Sequence, residues 1–394
     1  MNNSIKNNLK AFKALIAFKK LNTESRKIVF YAEDIQSQNY FLGLVKELLV
    51  HFDEEICYLT SDPVDTIFLT EKNYKKLNVF YIGDGIIRTW LFSSLEADLM
   101  IMTMPDIETF HIKRSKVYNV HYLYIFHALV STHSNYRLGA FNSYDTIFCT
   151  GKQQMLEIRK TEDEYGLNKK NLHKDGYRPL EYLINESHAY TKNSIKKTSV
   201  LIAPSWGSNN ILELCIENLL DVLLKSDMKI TLRPHPMTIR NNFKQLKELE
   251  KKYQNKENLC IQTNVANRDI LFHSDILITD WSGIGMEYGL GLQKPVIYID
   301  TPKKNNNPEF NKINLIPIEV KIRSEIGSIL KINEIKNINY HILEILKLHN
   351  PSNILKLREK YVYMKKNSVN KSARRVLSIA NANRSRNINN HLDV

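Results

Sequence analysis

The regular alternation of short apolar runs with helical stretches constrains the fold of this chain more than any other feature. From Lys27 onward, segments rich in Val, Ile, Phe and Tyr are separated by stretches of helical pattern, such as 40–52 and 152–164. The apolar segments of the first half are KIVFYAED, EICYLTSD, NVFYIGDG, DLMIMTMP, VHYLYIFHAL and DTIFCTG. Strands that alternate with helices predict an α/β fold with a mainly parallel sheet covered on both faces.

The same alternation restarts after a polar segment at 185–199, which we interpret as a linker. The strand-like segments of the second half are VLIAPSW, KITLRPHP, LCIQT, DILITD and PVIYID. A chain of 394 residues is long enough for two such domains. The predicted divisions are a helix at 1–25, an α/β domain at 26–190, a second at 191–350, and C-terminal helices with a tail at 351–394. We expect the tail to fray from Asn381.

The net charge of +13 indicates an anionic partner, which charge alone does not identify. Ile5, Leu9, Phe12 and Ile16 recur at helical spacing at the N-terminus, and five lysines lie mostly elsewhere around that helix. A basic amphipathic helix suits an anionic membrane surface, although docking on the protein's own core fits the same pattern. The four cysteines are scattered and the N-terminus lacks a secretory pattern, so we expect a cytoplasmic protein.

The segment RPHP follows directly where the strand KITL should end. Arg233 can bind phosphate oxygens through two N–H groups, and His235 can donate a proton or a hydrogen bond. Pro234 and Pro236 restrict the backbone on either side of that imidazole. The alternative is an ordinary histidine in a proline turn.

The segment TDWSGIGMEYG has the same layout of strand, turn and helix. Ser282 is a candidate N-cap for a helix that begins near Gly283, and a helix start of this kind can bind an anion. Gly283 and Gly285 would allow a phosphate to approach, and Glu287 lies one turn further along. A plain capped connection is the alternative. The glycine spacing and Asp300 also resemble a dinucleotide-binding fingerprint, which leaves an NAD(P)-dependent oxidoreductase as a weaker alternative.

A histidine also ends a predicted strand of the first half, in the segment YIFHALVSTH. His127 leaves this apolar run as His235 leaves a strand in the second half, so two facing domains would bring them together. His133 is a further candidate, for contact with an acceptor. Within the sequence, no group of carboxylates has the spacing of a dedicated metal site, so we expect neither metal nor cofactor.

Together, RPHP, TDWSGIGMEYG with KPVIYID, and the histidine of FHALVSTH resemble the CDP-glycerol:poly(glycerophosphate) glycerophosphotransferase family. The resemblance extends over about 27–330. It implies a GT-B fold, in which two Rossmann-like domains face each other across a cleft. It also implies a peripheral membrane enzyme at the inner face of the cell membrane, active in the synthesis of teichoic-acid-type or capsular polymers of the bacterial envelope.

By this resemblance, His127 is the general base and His235 contacts the donor phosphates. The implied donor site comprises Arg233, His235, Asp280, Ser282, Gly283 and Glu287. The implied reaction moves glycerol phosphate from a CDP-linked donor to a hydroxyl of a glycan or lipid-linked polymer and releases CMP. This chain has Ala128 and Gly283 where the family commonly has Gly and Ser, and Glu287 where Asp is frequent. CDP-ribitol is therefore an alternative donor.

Two other functions remain open from the sequence. A GT-B glycosyltransferase would share the fold but attack a sugar carbon of a nucleotide sugar. A nucleic-acid-binding protein would use the positive charge without an active site, but the lysines are dispersed and we find no binding module, so we expect no nucleic-acid partner.

Overall fold

The computed structural model describes residues 3–190, 197–264, 268–364 and 368–392. Two parallel sheets, each covered by helices on both faces, make up the protein. The strands of the first sheet are β1 (Ile28–Ala32), β2 (Ile56–Thr60), β3 (Leu77–Tyr81), β4 (Leu99–Met102), β5 (His121–Ile125), β6 (Thr146–Cys149) and β7 (Asn171–Lys174). Those of the second are β8 (Ser199–Ile202), β9 (Lys229–Leu232), β10 (Leu259–Ile261), β11 (Ile276–Thr279), β12 (Val296–Ile299) and β13 (Gly327–Leu330).

The helices alternate with these strands along the chain. They are α1 (Asn3–Lys20), α2 (Gln38–His51), α3 (Ile67–Glu71), α4 (Ile86–Ser93), α5 (Thr132–Asn135), α6 (Lys152–Glu164), α7 (Arg178–Ser187), α8 (Ile211–Leu214), α9 (Ile216–Leu223), α10 (Pro236–Asn241), α11 (Phe243–Tyr253), α12 (Asp269–His273), α13 (Ile284–Leu292), α14 (Ile318–Ile326), α15 (Ile338–Leu348), α16 (Pro351–Tyr361) and α17 (Ser368–Leu392). Short 3-10 turns lie at Ile35–Ser37, Phe310–Ile313 and Ile332–Asn337.

Both sheets are wound in the same order. The first runs β3-β2-β1-β4-β5-β6-β7 and the second β10-β9-β8-β11-β12-β13, and every neighbouring pair is parallel. The winding reverses beside β1 and beside β8, and such reversals open a crevice at the carboxyl ends of the strands. The predicted α/β fold with two Rossmann-like units is confirmed.

The apolar core lies on both faces of each sheet, because the central strands carry large aliphatic and aromatic side chains in alternate directions. Every residue of β1, β2, β11 and β12 is buried. The edge strands β7 and β13, which were not predicted, are only partly buried. A sequence such as Asn-Leu-His-Lys therefore carries no clear apolar signal.

The N-terminal helix α1 packs on the first sheet, but not through the apolar face formed by Ile5, Leu9, Phe12 and Ile16. Its Leu15 and Phe18 are 6% and 1% exposed, and the ring of Phe18 lies 5.6 Å from that of Phe80. Leu9 and Phe12, on the opposite side, are 47% and 44% exposed. The helix therefore docks on the protein and still presents apolar side chains to solvent.

The C-terminal segment divides between the two sheets. Helix α16 packs against α13 and α14 beside the second sheet, whereas α17 returns to the first sheet and packs against α2. The expectation that the chain frays from Asn381 is wrong, because Asn383 is buried and its side chain donates to the carbonyls of Asp98 and Asn119 at 2.9 and 2.8 Å. Among the helices described, none combines the length and the apolar character needed to cross a bilayer.

Candidate functional site

A cleft of about 1150 Å³ lies between the two sheets, at the carboxyl ends of their strands. Its wall includes the sequence-predicted residues His127, Arg233, His235, Ser282, Gly283 and Glu287. They follow the ends of three strands, β5, β9 and β11, in two separate halves of the chain. The structure thus brings six of the eight candidates into one cavity.

His127 enters the cleft from the end of β5 as a neutral base. Its Nδ1 lies 2.9 Å from the carbonyl oxygen of Thr103, which can only accept, so Nδ1 carries the hydrogen. The lone pair is then on Nε2. Burial lowers the pKa of His127, opposed by the bond to Thr103 and by the charge of Asp34. The imidazole is therefore unprotonated near neutral pH.

His235 has the opposite tautomer. It is the N-cap of α10, and its Nδ1 accepts a hydrogen bond from the backbone N–H of Met237 at 3.1 Å. A backbone N–H can only donate, so the neutral ring carries its hydrogen on Nε2. Burial, followed by the positive charges of Arg233 and Lys304, lowers the pKa of His235 to about 4. This imidazole is a neutral hydrogen-bond donor.

Two arginines add positive charge to the same wall. Arg233 follows β9, where its backbone N–H donates to the carbonyl of Ile202 at 2.8 Å and fixes the loop. Burial lowers the pKa of Arg233, and the neighbouring charge of Arg268 acts in the same direction. Arg268, which the sequence did not indicate, precedes α12 and also lines the cleft. The two guanidinium groups give the wall the charge that a pyrophosphate requires.

The start of α13 forms the next part of the wall. The prediction that Ser282 caps this helix is wrong by one residue, because Gly283 is the N-cap and no side-chain cap bond forms. A Cβ placed on Gly283 would meet nothing within 4 Å, so a ligand could approach its backbone. A Cβ on Gly285 would lie 2.8 Å from the ring of Tyr298. Gly285 therefore permits contact between helix and sheet instead of phosphate approach.

Glu287 projects from the first turn of α13 and joins the two halves of the cleft. Its carboxylate accepts a hydrogen bond from the hydroxyl of Tyr177 at 2.7 Å. Burial raises the pKa of Glu287, whereas the Tyr177 bond and the charges of Arg268 and Arg233 oppose that shift. Tyr177 precedes α7 and was not among the predicted residues.

Asp280 does not face the cleft as expected. It is fully buried, and its two carboxylate oxygens accept from the backbone N–H groups of Ser205 and Ile211 at 2.8 and 3.0 Å. These bonds hold both ends of the loop after β8. That loop carries Trp206, whose half-exposed ring lies 6.1 Å from the ring of His235. Asp280 is thus a positioning residue, and Trp206 is a cleft residue that the sequence analysis missed.

His133 is also placed outside the cleft. It lies on α5, is 3% exposed, and its Nε2 is 3.1 Å from the carbonyl oxygen of Leu315. Its Nδ1 is 3.4 Å from a carboxylate oxygen of Glu157, and the residue borders a separate cavity of about 30 Å³. The short helix turns this side chain toward α6, where it cannot contact a ligand in the main cleft.

No metal site is evident at the cleft: within the described ranges, no group of three or more His, Cys, Asp or Glu side chains is arranged to hold an ion. The expectation of a reaction without metal or cofactor stays a prediction.

Two facing α/β units with a cleft between them make up the GT-B fold. Solved structures agree: the wall teichoic acid polymerase TagF aligns with 96% of this chain and 98% of its own at 13% identity, with a TM-score of 0.58. A putative UDP-N-acetylglucosamine 2-epimerase from Listeria monocytogenes aligns at 12% identity over 89% of this chain and 94% of its own, with a TM-score of 0.54. A glycosyltransferase from Rickettsia africae aligns at 12% identity over 90% and 98%, with a TM-score of 0.53.

The family follows from the sequence match. Residues 64–304, more than half of the chain, match the CDP-glycerol:poly(glycerophosphate) glycerophosphotransferase family, and the chain belongs to that family. It is therefore a transferase, and the oxidoreductase and nucleic-acid-binding alternatives are not supported. No curated protein matches the sequence.

Proposed function

We propose that this protein transfers glycerol phosphate from CDP-glycerol to a hydroxyl group of a teichoic-acid-type or capsular polymer and releases CMP. The single observation that carries the assignment of roles is the pair of opposite tautomers: His127 offers a basic Nε2, and His235 offers an Nε2–H donor, in one cleft. A base for the acceptor and a donor for the phosphates are what such a transfer needs.

In the proposed reaction, an acceptor hydroxyl attacks the phosphorus atom that bears the glycerol. His127 Nε2 takes the hydroxyl proton as the new O–P bond forms. The bond from that phosphorus to the bridging oxygen breaks, and the oxygen leaves with CMP. His235 and the two arginines, Arg233 and Arg268, stabilise the charge on the phosphates.

The start of α13 contributes to the same donor site. The backbone at Ser282 and Gly283 supplies N–H dipoles toward the phosphates, since a helix N-terminus favours negative charge. Glu287 binds the glycerol hydroxyls of the donor through its carboxylate. Asp280 supports the site indirectly, because its hydrogen bonds fix the loop that carries Trp206.

The donor can be tested directly. CDP-glycerol, CDP-ribitol and common UDP-sugars are compared for the increase in melting temperature that each produces, because a ligand that binds the native state stabilises it. Turnover with the best binder follows, and mass spectrometry identifies the product. We expect CDP-glycerol to stabilise most and the product to contain a new phosphodiester. A glycosidic product from a UDP-sugar would instead establish a GT-B glycosyltransferase.

We further propose that α1 attaches the enzyme to the inner face of an anionic membrane, on the cytoplasmic side. Ile5, Leu9, Phe12 and Ile16 are 40–53% exposed on one side of this helix, with lysines beside them. Apolar side chains flanked by lysines bind anionic lipid surfaces. The cysteines described are all free thiols, which suits a reducing compartment.

The attachment is tested by flotation with vesicles that contain anionic lipid. We expect Leu9→Glu and Phe12→Glu to reduce binding without unfolding the protein, because both side chains are exposed. Val64→Glu, the same type of change at a more exposed apolar side chain outside α1, is the control. Equal flotation of all variants would refute the role of α1.

A further inference from the structure

The Nδ1 side of the His127 imidazole is held by two uncharged oxygen atoms. Nδ1 lies 2.9 Å from the carbonyl oxygen of Thr103 and 3.0 Å from the hydroxyl oxygen of Tyr124. Because the contact with Thr103 requires a hydrogen on Nδ1, the hydroxyl of Tyr124 can only accept from it. The single Nδ1–H is therefore shared between a backbone carbonyl and a phenol.

The contact between Tyr124 and His127 depends on where strand β5 ends. Residues three apart on an extended strand point to opposite faces of the sheet, so their side chains do not normally meet. Strand β5 ends at Ile125, and the backbone turns there so that the imidazole returns to the hydroxyl of Tyr124. The spacing of the two residues in the sequence therefore gives no sign of this pair.

Tyr124 is a rigid acceptor because its ring is enclosed by other aromatic side chains. The residue is fully buried. The centres of three rings lie 4.9 to 5.1 Å from the centre of its own ring, those of Phe126, Phe141 and Tyr144. Interiors packed at this density restrict a side chain to one rotamer. The phenol oxygen therefore stays in place and holds the imidazole of His127 in one orientation.

The other groups around the imidazole of His127 are mostly tyrosines as well. The rings of Tyr136 and Tyr40 lie 5.8 and 6.2 Å from the imidazole ring. The hydroxyl of Tyr177 lies 3.2 Å from the backbone carbonyl oxygen of His127. Asp34 acts on the imidazole through its charge, while its carboxylate caps the 3-10 turn after β1. Among the residues that the structure describes, no carboxylate accepts a hydrogen bond from this imidazole.

We propose that Tyr124 is a positioning residue for the base: its phenol oxygen shares the Nδ1 hydrogen of His127, in the place that a carboxylate holds beside many catalytic histidines. This inference deepens the proposed function and rests on it. When Nε2 of His127 takes the hydroxyl proton of the acceptor, the ring keeps its Nδ1–H, and the two oxygen atoms stabilise the new positive charge as dipoles. Tyr124 remains neutral throughout, because burial raises the pKa of its hydroxyl well above the ordinary value.

A neutral partner gives the base a different strength from the one that a carboxylate gives. A carboxylate beside an imidazole favours the protonated ring by its full charge and raises the pKa, whereas a dipole favours that ring less. Burial, the largest influence on His127, lowers its pKa. The ring therefore stays unprotonated, and able to take the acceptor proton, to a lower pH than a histidine paired with a carboxylate would.

Protonation of His127 is measured directly by NMR on protein with labelled histidine, and the signal is assigned by its absence from His127→Ala. Tyr124→Phe removes the phenol oxygen and keeps the ring, so the protonated imidazole loses one of its two acceptors. We expect the midpoint of the His127 titration to fall by roughly half to one pH unit. Tyr144→Phe is the matched control, because Tyr144 is equally buried and its hydroxyl donates to the carbonyl of Met104 instead. A merely structural role would change the melting temperature without moving this midpoint.

Turnover of CDP-glycerol tests whether Tyr124 acts through His127. We expect Tyr124→Phe to lower kcat by roughly three- to tenfold, because the protonated ring that forms during transfer is less stable. In the His127→Ala background the same substitution should leave the residual rate unchanged, since the group that it positions is gone. An equal fall of the rate in both backgrounds would show that Tyr124 does not act through the imidazole.

The titration separates this inference from the proposed function, because it needs neither donor nor acceptor. If the midpoint of Tyr124→Phe equals that of the wild-type protein, the positioning role of Tyr124 is overturned, whatever group the enzyme transfers. If the midpoint falls as expected but CDP-glycerol gives no product, the pairing of Tyr124 with His127 holds and only the proposed reaction is lost.

Discussion

The hydroxyl of Tyr177 lies 2.7 Å from a carboxylate oxygen of Glu287 and 3.2 Å from the carbonyl oxygen of His127. A residue that is 1% exposed thus touches both the segment that carries the proposed base and the helix that carries the donor site. The hydroxyl has one hydrogen, and the shorter distance assigns it to Glu287. Tyr177 therefore sets the geometry of one half of the cleft against the other.

Replacing Tyr177 by Phe removes this hydrogen bond and little volume. We expect a loss of roughly 1.5–3 kcal/mol in the free energy of unfolding, because the acceptor is a buried carboxylate. The Tyr177 bond holds the pKa of Glu287 down against burial, so that pKa rises in the variant. If catalysis needs ionised Glu287, the acidic limb of the kcat/KM profile moves to higher pH. If the acidic limb of the profile does not move, ionisation of Glu287 does not control catalysis.

The His127→Ala variant tests the proposed base. We expect turnover to fall by roughly 10²- to 10⁴-fold, the usual contribution of general-base catalysis. Binding of CDP-glycerol, followed by calorimetry, should persist, because His127 lies on the acceptor side. His111→Ala, an exposed histidine outside the cleft, is the control. Turnover of the His127 variant near the wild-type rate would remove the assignment.

Two substitutions of His235 distinguish its contact with the donor from its role as the N-cap of α10. His235→Ala removes both the Nε2–H donor and the acceptor for Met237 N–H, so we expect a higher KM for the donor and a stability loss of about 1 kcal/mol. His235→Asn keeps a good N-cap acceptor and should recover the stability without recovering the KM. Thermal unfolding and initial rates, measured on the same preparations, check both effects.

The low pKa of His235 also gives a pH dependence of stability. Because the folded-state pKa of about 4 lies below the ordinary value of 6.5, the unfolded chain binds more protons between these values. Stability contributed by neutral His235 is therefore present above pH 6.5 and is lost as the pH falls toward 4. We expect His235→Asn to flatten this part of the unfolding profile, and a profile identical to wild type would contradict it.

Gly283 and Gly285 form a matched pair. Gly285→Ala places a methyl group 2.8 Å from the ring of Tyr298, so we expect a stability loss of roughly 1–3 kcal/mol. Gly283→Ala meets open space and should change the melting temperature much less. It should nevertheless weaken donor binding by roughly tenfold, because the methyl group occupies the approach to the helix start. If Gly283→Ala binds the donor as tightly as the wild-type protein does, the donor phosphates lie elsewhere.

Sequence reasoning correctly located the candidate residues that directly follow a strand in the chain. His127, Arg233 and His235 follow apolar strands directly, and the carboxyl ends of parallel strands converge in this fold. Arg268 and Trp206 were missed because they lie in loops where no strand or helix pattern marks them. Asp280 and His133 were misplaced for another reason. Whether a polar side chain turns inward depends on backbone N–H and carbonyl groups far away in the sequence.

The return of α17 to the first sheet means that the backbone passes between the halves twice, once between α7 and β8 and once between α16 and α17. Two connections restrict the rotation of one half of the protein against the other more than a single flexible connection would. We therefore expect any widening of the cleft for substrate entry to be a hinge bend about the line that joins the two connections. A motion restricted in this way would bring the His127 imidazole back to the same position opposite the second half of the protein.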